Sequence, residues 1–232
     1  MVSKQELYNS VKDLPFANDD FSRTPKVKNA VINFKLAKTG QPVTLFNIHH
    51  HLEVPDLLIQ AMQKEFNYII EEGQTYPHIT SKSFKEFKEY WFHHFASILI
   101  EGEHSSLTND SLRNLTLEEW ENALLGFFYV KPNYIGRCSH HCNAGFVVNH
   151  TKRGLGLGKE LGAKYLQVAP QLGYVYSVFN LVFETNVASL KIWDSLGFER
   201  IGYVKNVAVL KGYEDRLVGA YMFGKDLQQI DQ

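Results

Sequence analysis

Cysteine is scarce, long apolar runs are missing, and net charge is almost nil: 232 residues hold two cysteines, and 24 Lys and Arg against 25 Asp and Glu leave −1. Each scarcity excludes something. A membrane-spanning helix needs about 20 consecutive apolar residues, and no stretch approaches that, so no membrane partner is expected. Proteins that bind nucleic acid present a basic face or stripe to the phosphates. The balanced charge argues against nucleic acid and for a small partner. The first residues, MVSKQELYNSVKDLPFAND, lack the apolar core of a secretory signal and carry acidic residues that transit peptides avoid. An intracellular, cytoplasmic protein is expected, with a mitochondrial fraction left open.

The two cysteines, Cys138 and Cys142, flank His140 and His141. Structural zinc takes two ligand pairs joined by a longer spacer, and no second cysteine pair exists. The segment reads as a polar loop entering a strand, and His49, His50 and His51 read as loop as well. No metal is expected.

What is present fits an α/β protein. At 44% hydrophobic and 21% charged residues, the chain is long enough for a full core. One domain over residues 1–232 is expected, with 1–45 as an N-terminal extension of mixed composition and an extended or loosely packed start. Asp56 opens a helix ended by Gly73, with Leu57, Met62, Phe66, Ile69 and Ile70 on its buried face. Ser81 to Tyr90 predicts a second helix running into the strand of WFHHFASILIEG. Tyr76, beside Pro77 in the connection, is placed to form a ligand wall. LLGFFYVKPNY reads as a strand, and Cys142–Asn149 as a buried strand in which Gly145 marks a bulge or a close backbone approach. A glycine-rich turn and a helix to Gly173 follow, then the interior strand YSVFNLVFET. Next come a helix capped by Asn186 and stopped by Gly197, and two final strands, RIGYVKNVAVL and RLVGAYMFGKDL.

The strand, glycine turn and helix form an anion site, because the first amides of a helix lack partners and carry the positive end of its dipole. Two phosphate motifs fail there. A P-loop would need glycine where Arg153 stands and Ser or Thr where Glu160 stands, and a dinucleotide fingerprint begun at Gly154 would need glycine at Lys159. The pattern Arg/Gln-x-x-Gly-x-Gly/Ala is met by Arg153, Gly156 and Gly158. A second motif is Asn186-x-x-Ser189, followed by Trp193, Leu196, Gly197 and Phe198.

On these two motifs the chain resembles the GNAT superfamily of acetyl-CoA-dependent N-acetyltransferases. The resemblance implies an α/β GNAT fold, a mixed sheet with a splayed strand pair and flanking helices, and an acetyl-CoA-binding core over roughly residues 120–225. It implies that the glycine turn, Gly154 included, holds the CoA pyrophosphate, with Gly158 and Gly162 keeping one helix face bare. The amides of Phe146 and Val148 would meet the pantetheine arm and the thioester. Trp193 occupies the place of the family's proton-donating tyrosine and cannot serve as that acid. The side-chain amide of Asn186 is the expected substitute. Glu184 is a candidate base, with an ordered water as the alternative.

From about Tyr68 to Leu227, the segments GQTYP, YWFHHFA, FFYVKPNY, RCSHHCNAGFVVN, YSVFNLVFETN, KIWDSLGFERIG and GKDL are similar to the fungal L-azetidine-2-carboxylate N-acetyltransferases. That resemblance implies a homodimer that acetylates proline analogues and glutamate 5-semialdehyde or pyrroline-5-carboxylate, supporting oxidative-stress tolerance. It assigns substrate recognition to Asn143 and to the backbone amides of Asn180 and Leu181, cofactor contact to Phe146 and catalysis to Asn186. An acetyltransferase for another small amine or for a protein N-terminus, and a catalytically silent binding module, stand as alternatives.

Overall fold

The computed structural model describes residues 14–16, 26–108 and 112–228. Residues 1–13 and 17–25 of the loosely packed start expected from sequence lie outside them. Eight strands join one sheet: β1 (Val31–Lys35), β2 (Pro42–Ile48), β3 (Phe95–Glu101), β4 (Leu124–Pro132), β5 (His141–Val148), β6 (Tyr176–Phe183), β7 (Glu199–Ala208) and β8 (Val218–Asp226). Their order is β1-β2-β3-β4-β5-β6-β8-β7, and every neighbouring pair is antiparallel except β5 with β6.

Both faces of the sheet are covered. Neighbouring residues of one strand point to opposite faces, and Phe46, Ile98 and Phe127 pack with one set of helices while Leu45, Leu99 and Phe128 pack with another. The first set is α1 (Asp56–Glu72), α2 (Phe84–Trp91) and α3 (Leu117–Ala123); the second is α4 (Leu157–Val168) and α5 (Val187–Ser195). This is the α/β sheet with flanking helices that the sequence predicts.

Helix α1 has the expected limits. Asp56 lies in its first turn, and Gly73 closes it in the left-handed conformation at φ 69° with its amide on the Ile69 carbonyl. The buried face is turned slightly from the expected one: Leu58 and Ile59 are fully buried, while Leu57 is 42% exposed. Phe66 is fully buried at the centre of this face, in ring contact with Tyr76, His78, Tyr90 and Trp91. Removing such a side chain from water contributes about 1.5–3 kcal/mol, so α1 and α2 are anchored through it.

Three elements escape the sequence reading. β1 and β2 lie within or across residues 1–45, so that boundary falls inside β2, and residues 31–35 and 42–45 are sheet rather than extension. Helix α3 has seven residues and follows a turn-rich stretch. Its signal was the capping box Thr116 to Glu119, each side chain bonding the other's backbone amide.

Candidate active site

β5 and β6 part almost at once. Their parallel pairing is limited to His141 with Tyr176 and Cys142 with Ser177, whereas β5 stays paired to β4 through Val148. On the β4 side the Asn149 amide bonds the Leu125 carbonyl and the His141 carbonyl accepts from the Asn133 amide. Backbone groups alternate sides along a strand. The odd-numbered residues therefore address β4, and Ala144, Phe146 and Val148 turn their amides and carbonyls into the gap. The Tyr76 hydroxyl reaches the Phe146 carbonyl at 3.4 Å. An extended chain entering here meets a free strand edge.

The strand expected to be buried is so at Cys142, Gly145, Val147 and Asn149, whereas Asn143, Ala144, Phe146 and Val148 border this gap. No bulge occurs at Gly145. The close approach expected there is real: a Cβ would lie 2.5 Å from the Tyr129 ring and from the Tyr76 hydroxyl. A bulge sits instead in β6, where the register to β8 passes from Phe179–Phe223 to Val182–Tyr221. Asn180 and Leu181 thus share one partner position, which leaves ladder groups unpaired and turns the pair toward the gap.

At the far end of β5 the chain makes the glycine turn. Gly154 and Gly156 have φ of 85° and 83°, and Gly156 is the N-cap of α4. Both adopt the left-handed backbone that side chains disfavour. Above them is open space: a Cβ on Gly154 would meet nothing within 4 Å, and one on Gly156 only Lys38 at 3.7 Å. Lys38 donates to the Gly154 carbonyl at 2.6 Å, and the neighbouring Ala37 amide bonds Glu160 of α4. Sequence reasoning missed Lys38, because it lies in the stretch taken as extension and no motif includes it.

One expectation about the turn needs correction. Gly158 and Gly162 do not keep a bare helix face: α5 fills it, with Ile192 Cδ1 2.7 Å from a Cβ on Gly158 and Leu196 Cδ1 2.6 Å from one on Gly162. Arg153 borders the gap but its guanidinium forms a bidentate pair with Glu72, at 2.7 and 2.9 Å, which holds the Glu72 carboxyl below its ordinary range. Lys38 is a cation standing on the turn itself.

Asn186 caps α5, its Oδ1 accepting from the Ser189 amide at 3.1 Å. That orients the carboxamide and leaves its NH2 group for other partners. Trp193 packs on Phe146, Phe179 and Phe198 as an aromatic floor. Asn143 and Asn180 both donate to Asn133 Oδ1, at 2.9 and 2.6 Å, so a third asparagine, to which the sequence reading gives no role, fixes the other two. Glu184 is misplaced for a base in the gap. Its carboxylate accepts from the Tyr203 hydroxyl and from Arg216, which lower its pKa, and it does not border the cleft.

These features line one cleft of about 970 Å³, which brings together Tyr76, Asn143, Phe146, Val148, Arg153, Gly154, Gly156, Gly158, Asn180, Leu181 and Asn186. Sequence reasoning missed its other end, where His78, Tyr90 and Tyr129 join Tyr76 and the Tyr90 and Tyr129 hydroxyls lie 3.3 Å apart. Burial raises the pKa of all three tyrosines, so they remain hydroxyl donors. The cysteines diverge: Cys138 is exposed, and Cys142 is buried against the Tyr165 hydroxyl with its pKa pushed up to about 12. No group of three metal-ligating side chains occurs among the described residues, and no helix among them is long and apolar enough to cross a membrane.

The cleft fits an elongated thioester with an anionic end: strand-edge amides along one wall, open glycines at a helix start and a lysine beside them. Residues 70–198 match the family model described as "Acetyltransferase (GNAT) family". The chain is 40% identical over 166 residues to N-acetyltransferase aca1 of Schizosaccharomyces pombe, covering 72% of this chain and 78% of that protein. It is 33% identical to protein SPT10 of Saccharomyces cerevisiae over 84% of this chain, which spans only 36% of that protein. Among solved structures, a GCN5-related N-acetyltransferase from Kribbella flavida shares the fold at TM-score 0.63 and 22% identity, over 78% of this chain and 97% of that one. A GNAT superfamily phosphinothricin acetyltransferase from Sinorhizobium meliloti, in complex with acetyl-CoA, does so at 0.61 and 14%, over 79% and 88%. The chain belongs to the GNAT acetyltransferase family, as an acyltransferase that uses acetyl-CoA.

Proposed function

We propose that the chain N-acetylates small amino acids with a cyclic secondary amine, such as L-azetidine-2-carboxylate, together with glutamate 5-semialdehyde or pyrroline-5-carboxylate, and so detoxifies proline analogues and supports oxidative-stress tolerance. One acetyltransferase unit, a homodimer and a cytoplasmic place with a mitochondrial fraction belong to the same reading. The observation that carries it is the asparagine cluster beside the β6 bulge. A small zwitterion needs a few fixed, uncharged donors, which avoid burying a lone charge. Asn143 and Asn180 are held by Asn133 where β5 and β6 part, and the bulge turns Asn180 and Leu181 to the same place.

In this reading Asn143 and the amides of Asn180 and Leu181 hold the amino acid. Phe146 and Val148 offer amides to the thioester arm, and Gly154, Gly156, Gly158 and the start of α4 face the pyrophosphate, with Lys38 and Arg153 as nearby cations. Acetyl-CoA supplies the activated acetyl group when bound. Asn186 donates from its free NH2 to the departing sulfur as negative charge gathers there, and Tyr76 walls the acceptor side. The test is acetyl-CoA consumption with L-azetidine-2-carboxylate, 4-hydroxyproline, proline and a polyamine panel as acceptors. The cyclic amino acids are expected to give the highest kcat/KM, and a preference for polyamines would overturn the substrate class.

A further inference from the structure

Acetyl transfer needs a neutral amine, and an amino acid near neutral pH carries an ammonium. Some group must take that proton. Among the described residues lining the cleft, only Glu72 and His78 carry a side chain that accepts a proton near neutral pH. Glu72 is spent on Arg153, both carboxylate oxygens being bonded beside the glycine turn. Glu184 faces Tyr203 and Arg216.

His78 stands at the other end, among the rings that border the acceptor side. Its ring centroid is 5.1 Å from Tyr90, 5.5 Å from Phe66 and 5.9 Å from Tyr76, the first two edge to face. Tyr76 in turn touches the free edge of β5 at Phe146. The Nδ1 of His78 is buried without a hydrogen-bond partner. Aromatic faces carry negative charge, so an N–H beside them is tolerated and a lone pair is not. This favours hydrogen on Nδ1 and leaves Nε2 as the acceptor. The charged and titratable groups around the ring are Lys82, Lys131, Tyr76 and Tyr90, with Tyr129 behind Tyr90, and no carboxylate is among them. Desolvation first, then the two lysines, lowers the pKa of His78 below its ordinary 6.5, so the ring is neutral at pH 7.

We infer that His78 is the general base of the reaction, an inference that rests on the small-amine reading above. One proton of the substrate ammonium passes to Nε2 as the nitrogen attacks the thioester carbonyl carbon. The C–N bond forms and the C–S bond breaks. A second nitrogen proton goes to the departing thiolate, giving the free thiol, and the imidazolium returns its proton to solvent.

The test compares wild type with His78→Gln, which preserves size and polarity but takes no proton, using acetyl-CoA and the acceptor panel from about pH 5 to 9. With the best acceptor, His78→Gln is expected to lose about 10²–10⁴-fold in kcat/KM, to lose the acid limb of its pH profile, and to bind acetyl-CoA as wild type does in calorimetry. His78→Ala is expected to regain rate on addition of free imidazole. A folded Gln variant with near-normal rate and an unchanged acid limb overturns the inference, as does an Ala variant that imidazole leaves inactive. A wild type inert toward every acceptor overturns the substrate reading itself, and this inference with it.

Discussion

Asn133 is given no role by the sequence reading, yet its single side-chain oxygen receives hydrogen bonds from both Asn143 and Asn180. Removing it leaves two part-buried donors without their common acceptor, so both carboxamides lose the contact that orients them. Asn133→Ala is therefore expected to raise KM for the amino-acid acceptor about tenfold or more, with little change in kcat or in KM for acetyl-CoA. Asn133→Asp keeps an acceptor for both donors and should restore most of the affinity. If both variants bind the acceptor normally, the cluster does not recognise substrate. Asn186 raises a different question, since its oxygen caps α5 while its NH2 group is free for sulfur. Aspartate caps equally well but, when ionised, offers no proton. Steady-state kinetics of Asn186→Asp, beside its melting curve, should show a stable protein slowed by about one to three orders of magnitude. A stable variant of normal rate would reduce Asn186 to a cap.

At the scale of elements, α4 and α5 lie closer than side chains normally allow, because Gly158 and Gly162 present no Cβ to Ile192, Leu196 and Trp193. Gly162→Val places branched carbons where Leu196 already stands at 2.6 Å, so it should cost about 1–3 kcal/mol by overpacking and lower Tm by several degrees. An unchanged Tm would mean the helices shift apart freely. The same glycines show what the sequence displays and what it hides. Gly154 and Gly156 mark the turn by local necessity, and Asn186 and Gly197 mark the ends of α5 by capping chemistry, so motif and helix were legible together. What Gly158 and Gly162 pack against is a long-range fact with no local signature. The bulge in β6 was illegible for a related reason: Asn180 and Leu181 sit in an apolar run whose register depends on β8, far along the chain. β1 was missed because an edge strand half open to water carries little hydrophobic pattern.

At the scale of the molecule, cleft and sheet are one construction. The sheet is antiparallel except at β5 and β6, and that parallel pair opens after two residues of contact on each strand. The helix after β5 begins at the far end of the opening, so free strand edge, glycine turn and helix start fall in line. α1 and the segment after it bring Tyr76 and His78 to the cleft, and the turn after β1 brings Lys38 to the glycines. The motif-bearing part of this arrangement was readable, whereas Lys38, His78 and Asn133 stand at places that only the folded sheet brings near. The measurement that bears most directly on the whole is the initial rate of free-thiol release from acetyl-CoA by the wild-type protein, with and without L-azetidine-2-carboxylate. The account predicts release that depends on the acceptor, saturates with it and yields one N-acetylated amino acid per thiol; thiol release indifferent to the acceptor, or none at all, would contradict it.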